Sequence, residues 1–455
     1  MARLIAAGAL MALASTPLQA GDFALTRWSE DHRDLADPAQ QATPLDTLKH
    51  ISLGTDPGHY LSLGGQLRLK AVDFDAPLFG LGGADADAYW FQRLNLHGDW
   101  HLGPQLRVFA EVGDAQVHGK QTPATVADSN RSDLQLAFAD LSAAAAGGKL
   151  SLRIGRQELA FDAMQRFVAL REGPNVRRAY DGARLTWSGT ALHVTAFMTE
   201  PVEIRDERPF DDRDSDGLRF SGLRVRHGEG AASQLDGYWY RYEREEARFG
   251  GVLAEERRDV FGLQSAGRRG VFDWDVEAVY QSGRFGTADI RAWAFGSILG
   301  LRFDTWAWQP RLALQVDVAS GDRESGDDRL QTFNSLFPRG AYFSQSGLTD
   351  FSNLMNAGLF LGARPLPQAT LGIGGGRMAR QSREDAAYAQ AMLAIPGSIN
   401  GDKVIGDYLR LNVSYRCNRH LTLATEILHY VPSSSLRAAG ARTADYAELV
   451  IRFLF

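Results

Sequence analysis

Seven arginines fall between Lys149 and Trp187: Arg153, Arg156, Arg166, Arg171, Arg177, Arg178 and Arg184. A guanidinium presents paired donors in one plane, the geometry that carboxylate and phosphate oxygens accept. The chemistry on offer is electrostatic recognition of anions. Both ends of the stretch alternate apolar residues, Leu150, Leu152 and Ile154, then Ala183, Leu185 and Trp187. Arg153 and Arg184 therefore fall on the opposite face of two strands. Other chemistry is poorly supplied. The Ser and His residues form no nucleophile elbow. The single Cys, Cys417, excludes an intrachain disulfide and a Cys-based zinc site. Asp212 to Gly217 opens like a calcium loop, but Leu223 stands where the closing Glu belongs, so a solvated external loop is expected. Gly372 to Gly376 lacks the strand–helix setting of a phosphate loop. No enzyme activity, cofactor or metal is expected.

The elements that position these arginines are strands. After residue 58 the 455-residue chain alternates apolar and polar residues again and again, and no amphipathic helix interrupts the pattern. Eighteen candidate strands are counted, the first near 59–73 and the last near 444–455. Links after even-numbered strands are short. Those after odd-numbered strands are mostly long and polar, at 74–87, 117–132, 158–177, 201–216, 244–256, 321–351, 380–406 and 432–443. Such alternation predicts an all-β transmembrane antiparallel barrel of 18 strands, with short periplasmic turns and long extracellular loops. Trp90 and Trp100 bracket one strand at the spacing of two aromatic girdles. Residues 1–20 read as a signal peptide, with Arg3, an apolar run from Leu4 to Ala14 and a cleavage site after Ala20. Residues 21–57 read as an N-terminal periplasmic extension and 58–455 as the barrel. The formal net charge of −6 gives no support to a nucleic-acid partner.

Parity sends the residues opposite the apolar ones into the lumen. Arg68, Lys70, Arg93, Arg107, Arg153, Arg184, Arg311, Arg410 and Arg452 point inward on this rule, as do Glu111, Asp273, Asp275, Glu277, Asp317, Glu426 and Glu448. A water-filled channel lined by arginine lowers the barrier to anions. A substrate-specific porin for small organic anions, or an adhesin built on the long loops, are the alternatives. The chain ends with Leu449, Ile451, Phe453 and Phe455 on one face. This resembles the C-terminal strand signal of Gram-negative outer-membrane proteins read by the barrel-assembly machinery, and implies contact with outer-membrane lipid and lipopolysaccharide.

Three longer stretches carry a family resemblance. They are Arg153-Ile-Gly-Arg-Gln-Glu-Leu159 with Arg171-Glu-Gly-Pro-Asn-Val-Arg-Arg178 and Asp181-Gly182; Thr332-Phe-Asn-Ser-Leu-Phe-Pro-Arg-Gly-Ala-Tyr342; and Leu48-Lys-His-Ile51 followed by Tyr60 to Arg68. They resemble the alginate export porins. The resemblance implies a monomeric barrel whose electropositive constriction passes a polyuronate chain, and it adds Arg156, Arg171 and Arg178 to the pore-lining set.

Overall fold

The computed structural model describes residues 23–228, 233–324, 326–399 and 401–455. The signal segment expected over residues 1–20 lies outside them. In chain order the barrel strands begin with β1 (His59–Asp75), β2 (Ala86–Leu102), β3 (Leu106–His118), β4 (Asn130–Ala145), β5 (Gly148–Gln157) and β6 (Tyr180–Ser188). They continue with β7 (Leu192–Glu203), β8 (Leu218–His227), β9 (Ser233–Phe249), β10 (Val252–Arg269), β11 (Phe272–Phe285) and β12 (Ala288–Arg302). The last six are β13 (Arg311–Ala319), β14 (Leu354–Leu366), β15 (Ala369–Ala379), β16 (Val404–Arg416), β17 (Leu421–Pro432) and β18 (Ala444–Leu454). Each pairs antiparallel with its sequence neighbours, and β18 returns to β1 with Gln66 opposite Leu454. Phe455 and Gly65 exchange backbone hydrogen bonds at 2.9 and 3.1 Å, sealing the seam. Closure leaves no sheet edge unpaired, which a chain crossing lipid requires.

The faces are inverted relative to a water-soluble sheet. On β1 Leu67 is 38% exposed while its neighbour Arg68 is 3% exposed. On β13 Leu312 and Leu314 are exposed, whereas Gln315 and Asp317 are buried. Apolar side chains form an outer belt for lipid, and charged ones are enclosed. Among the described residues no helix is long and apolar enough to cross a membrane.

The eighteen strands and their alternating links match the sequence expectation, with two corrections. The loop expected at 244–256 is a hairpin: β9 and β10 continue outward to a turn at Gly250-Gly251, whose φ values of 54° and 84° suit glycine. Charged residues on both faces of this stretch, Glu243 to Glu246 and Glu255 to Arg258, hid the alternation. The turn expected at Thr305-Trp306 spans 303–310.

Two regions fill the barrel. Residues 23–50, in four short 3-10 turns, pack into its periplasmic mouth rather than standing away from it. Arg27 donates to the carbonyls of Gly65 and Phe455 at 2.8 Å each, and Lys49 to that of Leu63 at 2.9 Å. From the other end, the links 158–179 and 320–353 fold inward.

The luminal constriction

The 158–179 loop enters the lumen because of what it carries. Met164, Phe167, Val168 and Leu170 are buried, and water outside the barrel offers them no comparable environment. Phe167 meets Phe333 with ring centroids 5.2 Å apart, and Ala169 and Phe337 are joined by a 2.9 Å backbone hydrogen bond. The two segments singled out in the sequence, around Arg171 to Arg178 and Thr332 to Tyr342, are thus packed on one another inside the barrel.

Charge fixes the loop across the bore. Arg166 is fully enclosed and paired with Asp275, with Glu277 at 3.3 Å; both acids are on β11. Its Nε donates to the Tyr342 hydroxyl at 3.0 Å, and that hydroxyl donates to Asp317 at 2.6 Å. Six residues on, Glu172 reaches the far wall. Arg93 of β2 donates to its carboxylate at 2.6 Å and Arg452 of β18 at 2.9 Å, while Arg177 stands 3.4 Å away. Arg68 of β1 holds the carbonyls of Glu172, Gly173 and Pro174 at 2.9, 2.7 and 2.8 Å. An acidic wall receives the loop's arginine, and a basic wall receives its glutamate.

The loop's own titrations follow from this setting. Burial raises the Glu172 carboxyl, but Arg93, Arg452, Arg177 and Arg68 outweigh it and hold the group well below the usual carboxylate range. Arg171 has no acid of its own. Burial, reinforced by Arg178, pushes its guanidinium down to about 9.

The residues expected to line the pore divide into groups. Arg68, Lys70, Arg93 and Arg452 belong to the basic wall, with Lys70 paired to Glu448 at 2.5 Å. Arg153 and Arg107 serve the N-terminal segment. Arg153 makes two 2.7 Å bonds to Asp140 and lies between the rings of Trp28 and Phe138, at 4.4 and 3.6 Å. Arg107 binds Asp99 and donates to the Trp28 carbonyl at 2.6 Å. Arg184 stands over Trp28 at 5.3 Å and donates to the Glu158 carbonyl at 3.4 Å. Arg311 is paired with Asp273, and Arg410 holds the Phe343 carbonyl of the second inward loop. Glu111 accepts a bond from Asn95 at 2.8 Å, and Asp317 holds Tyr342 and Asn356. All of these lie on the face of their strands opposite the exposed apolar residues.

Arg156 does not. It alternates with Arg153 and Gln157, pairs with its cross-strand neighbour Asp181 at 2.9 Å, and donates to the Asp212 carbonyl at 3.3 Å. It belongs to the outer rim and is no part of the constriction. Arg171 donates to the Val176 carbonyl at 2.9 Å, and Arg178 stacks on Phe337 at 4.9 Å. With Arg177 these two border a small cavity of about 40 Å³. At the outer rim Asp133, Asp211 and Asp212 bring carboxylate oxygens within 4.8 Å of one another, so only one residue of the Asp212–Gly217 run takes part.

Sequence reasoning named Arg166 and carried Glu172 and Tyr342 inside its motifs, but gave none of them, nor Trp28, a place in the pore. The available signal for Glu172 was its place: one carboxylate among three arginines, one residue beyond an apolar run and before Gly-Pro.

The comparisons agree with this architecture. A family model described as alginate export matches residues 59–450. No curated protein matches the chain. Among solved structures, Pseudomonas aeruginosa OccK2 (OpdF) in complex with glucuronate is 13% identical, with a TM-score of 0.57 over 89% of this chain and 99% of that one. The outer membrane protein OpdK of the same organism is 14% identical, with a TM-score of 0.56 over 87% and 99%. OpdK with vanillate gives 13% identity and 0.55 over 86% and 98%. At such identities the likeness is one of fold.

Proposed function

Because this chain belongs to the alginate export family and is an outer-membrane β-barrel channel, we propose that its solute is an anionic oligo- or polysaccharide such as alginate. The observation that carries the reading is the basic wall formed by Arg68, Arg93 and Arg452, already holding a carboxylate at 2.6 and 2.9 Å. Passage is passive. The barrel carries a solute down its gradient, and arginine forks replace the water lost by each carboxylate. Several weak sites in series let the solute enter and leave. Glucuronate in the OccK2 complex is a uronic acid of the same class, which supports the reading.

A second reading has its own support. The two loops that fold inward, 158–179 and 320–353, are packed on one another across the bore, and a bore narrowed in this way favours a small organic anion over a polymer. Liposome swelling separates solutes directly. Glucuronate is expected to enter faster than glucose, and the preference is expected to shrink in an Arg93→Met, Arg452→Met double variant. Equal rates for the two sugars in the unaltered protein would count against an anionic solute of either size.

A further inference from the structure

Glu172 occupies a site built for more negative charge than it brings. Arg93, Arg452 and Arg177 surround its carboxylate, and Arg68 holds the three successive carbonyls around it. Among the described residues one other acid lies within ion-pair distance of these four cations, Glu158, at 2.9 Å from Arg177. At ion-pair distance four guanidiniums therefore face two carboxylates. Among the described residues Arg68 Nε, Arg93 Nε, Arg452 Nε and Arg177 Nη2 are enclosed and meet no acceptor. Burying a charged donor without a partner is costly, so the cluster has capacity for a further anionic group.

The carboxylate that fills the cluster is carried on a segment under strain. Arg171, the residue before it, has φ 59°, a conformation that side chains bearing a Cβ adopt reluctantly. Gly173 follows. A Cβ there would stand 2.4 Å from Gln345 Oε1, so the tip also seats against the 320–353 loop. Carbonyl oxygens flanking a carboxylate present arginines with much the same pattern as the oxygens of a uronate ring.

The geometry points to Glu172 as an internal stand-in for the solute: the tip of the 158–179 loop fills a carboxylate subsite formed by Arg68, Arg93, Arg177 and Arg452, and a uronate-type carboxylate takes that subsite when the tip withdraws. The loop is then a self-ligand that keeps the channel shut until solute competes for its arginines. This inference rests on the anionic reading above and adds the regulation of its site.

The test is single-channel recording in planar bilayers. Folding of each variant is confirmed by heat-dependent mobility of the barrel on gels. Glu172→Gln is expected to raise chloride conductance several-fold and to move the reversal potential further toward chloride. Glu172→Asp, which keeps the charge on a shorter side chain, is expected to raise conductance less than Glu172→Gln does. A folded Glu172→Gln channel with unaltered conductance overturns the self-ligand. Should that variant fail to fold, the unaltered channel decides: glucuronate is expected to increase its time in the open state, and an effect no larger than that of glucose overturns the inference. The two readings fail separately. Anion selectivity with no response to Glu172 removes only the self-ligand, whereas cation selectivity in the folded Glu172→Gln channel removes the anionic reading and the self-ligand with it.

Discussion

Arg153 and Arg93 are both luminal arginines, and their neighbours give them different work. Arg153 makes a two-pronged pair with Asp140 and is sandwiched by Trp28 and Phe138. Replacing it with Met removes both short bonds to the half-buried Asp140 and leaves it Arg107 at 3.9 Å, a loss of about 1.5–3 kcal/mol. The effect belongs to the barrel and its N-terminal segment. Arg153→Met is expected to lower the urea concentration at which the folded gel band is lost, with little change in anion preference. Arg93→Met should do the reverse, weakening anion preference with a smaller shift in urea resistance. Parity put both side chains on the face opposite the apolar belt, and both are buried in the structure. It could not separate their roles, because Asp140 and Trp28 are identified as partners only once β4, β5 and the N-terminal segment meet. Arg156 shows the opposite failure. A motif drew it into the pore set, although its odd offset from Arg153 already put it on the other face.

At the scale of elements, the strands were legible and the inward folding was not. Period-two alternation is a local property, readable in ten residues. The loop's position depends on pairs such as Glu172 with Arg452, 280 residues apart in the chain. Apolar Phe167 and Leu170 within an expected external loop were the one local sign. The N-terminal segment is anchored chiefly through Trp28, whose indole N–H donates to Glu158 at 2.9 Å and whose ring receives Arg153 and Arg184. Trp28→Ala is expected to remove about 1–3 kcal/mol of docking free energy. Limited trypsin digestion should then release peptides from residues 23–57 sooner while the barrel stays intact. Unchanged release kinetics would mean that Arg27 and Lys49 alone hold the segment. The outer loops carry a pH response of their own. Burial, with Asp385 and Asp327 nearby, raises Asp322 to about 6. A carboxyl raised in the folded state contributes stability that is complete below its ordinary value of 3.8 and disappears as pH rises through about 6. The contact of 320–353 with Asp385, in which the Asp322 amide donates at 2.9 Å, should therefore loosen between pH 4 and 7. Open-channel noise is expected to rise over that range, and Asp322→Asn should flatten the response.

At the scale of the whole molecule, the barrel is an apolar belt around a lumen divided by charge. Acids of β11 and β13 face arginines of β1, β2 and β18, and one loop spans the gap with Arg166 at one side and Glu172 at the other. A mixed lumen of this kind holds a loop firmly, yet leaves excess cations on one wall for the solute. The central claim is that this excess makes the pore selective for anions and receptive to uronates. Reversal potential under a KCl gradient, recorded before and after adding polyuronate, tests it most directly. The account predicts a potential on the chloride side and a current that polyuronate blocks at concentrations where a neutral polysaccharide of equal length has no effect. A potential on the potassium side, or equal block by the two polymers, would contradict it.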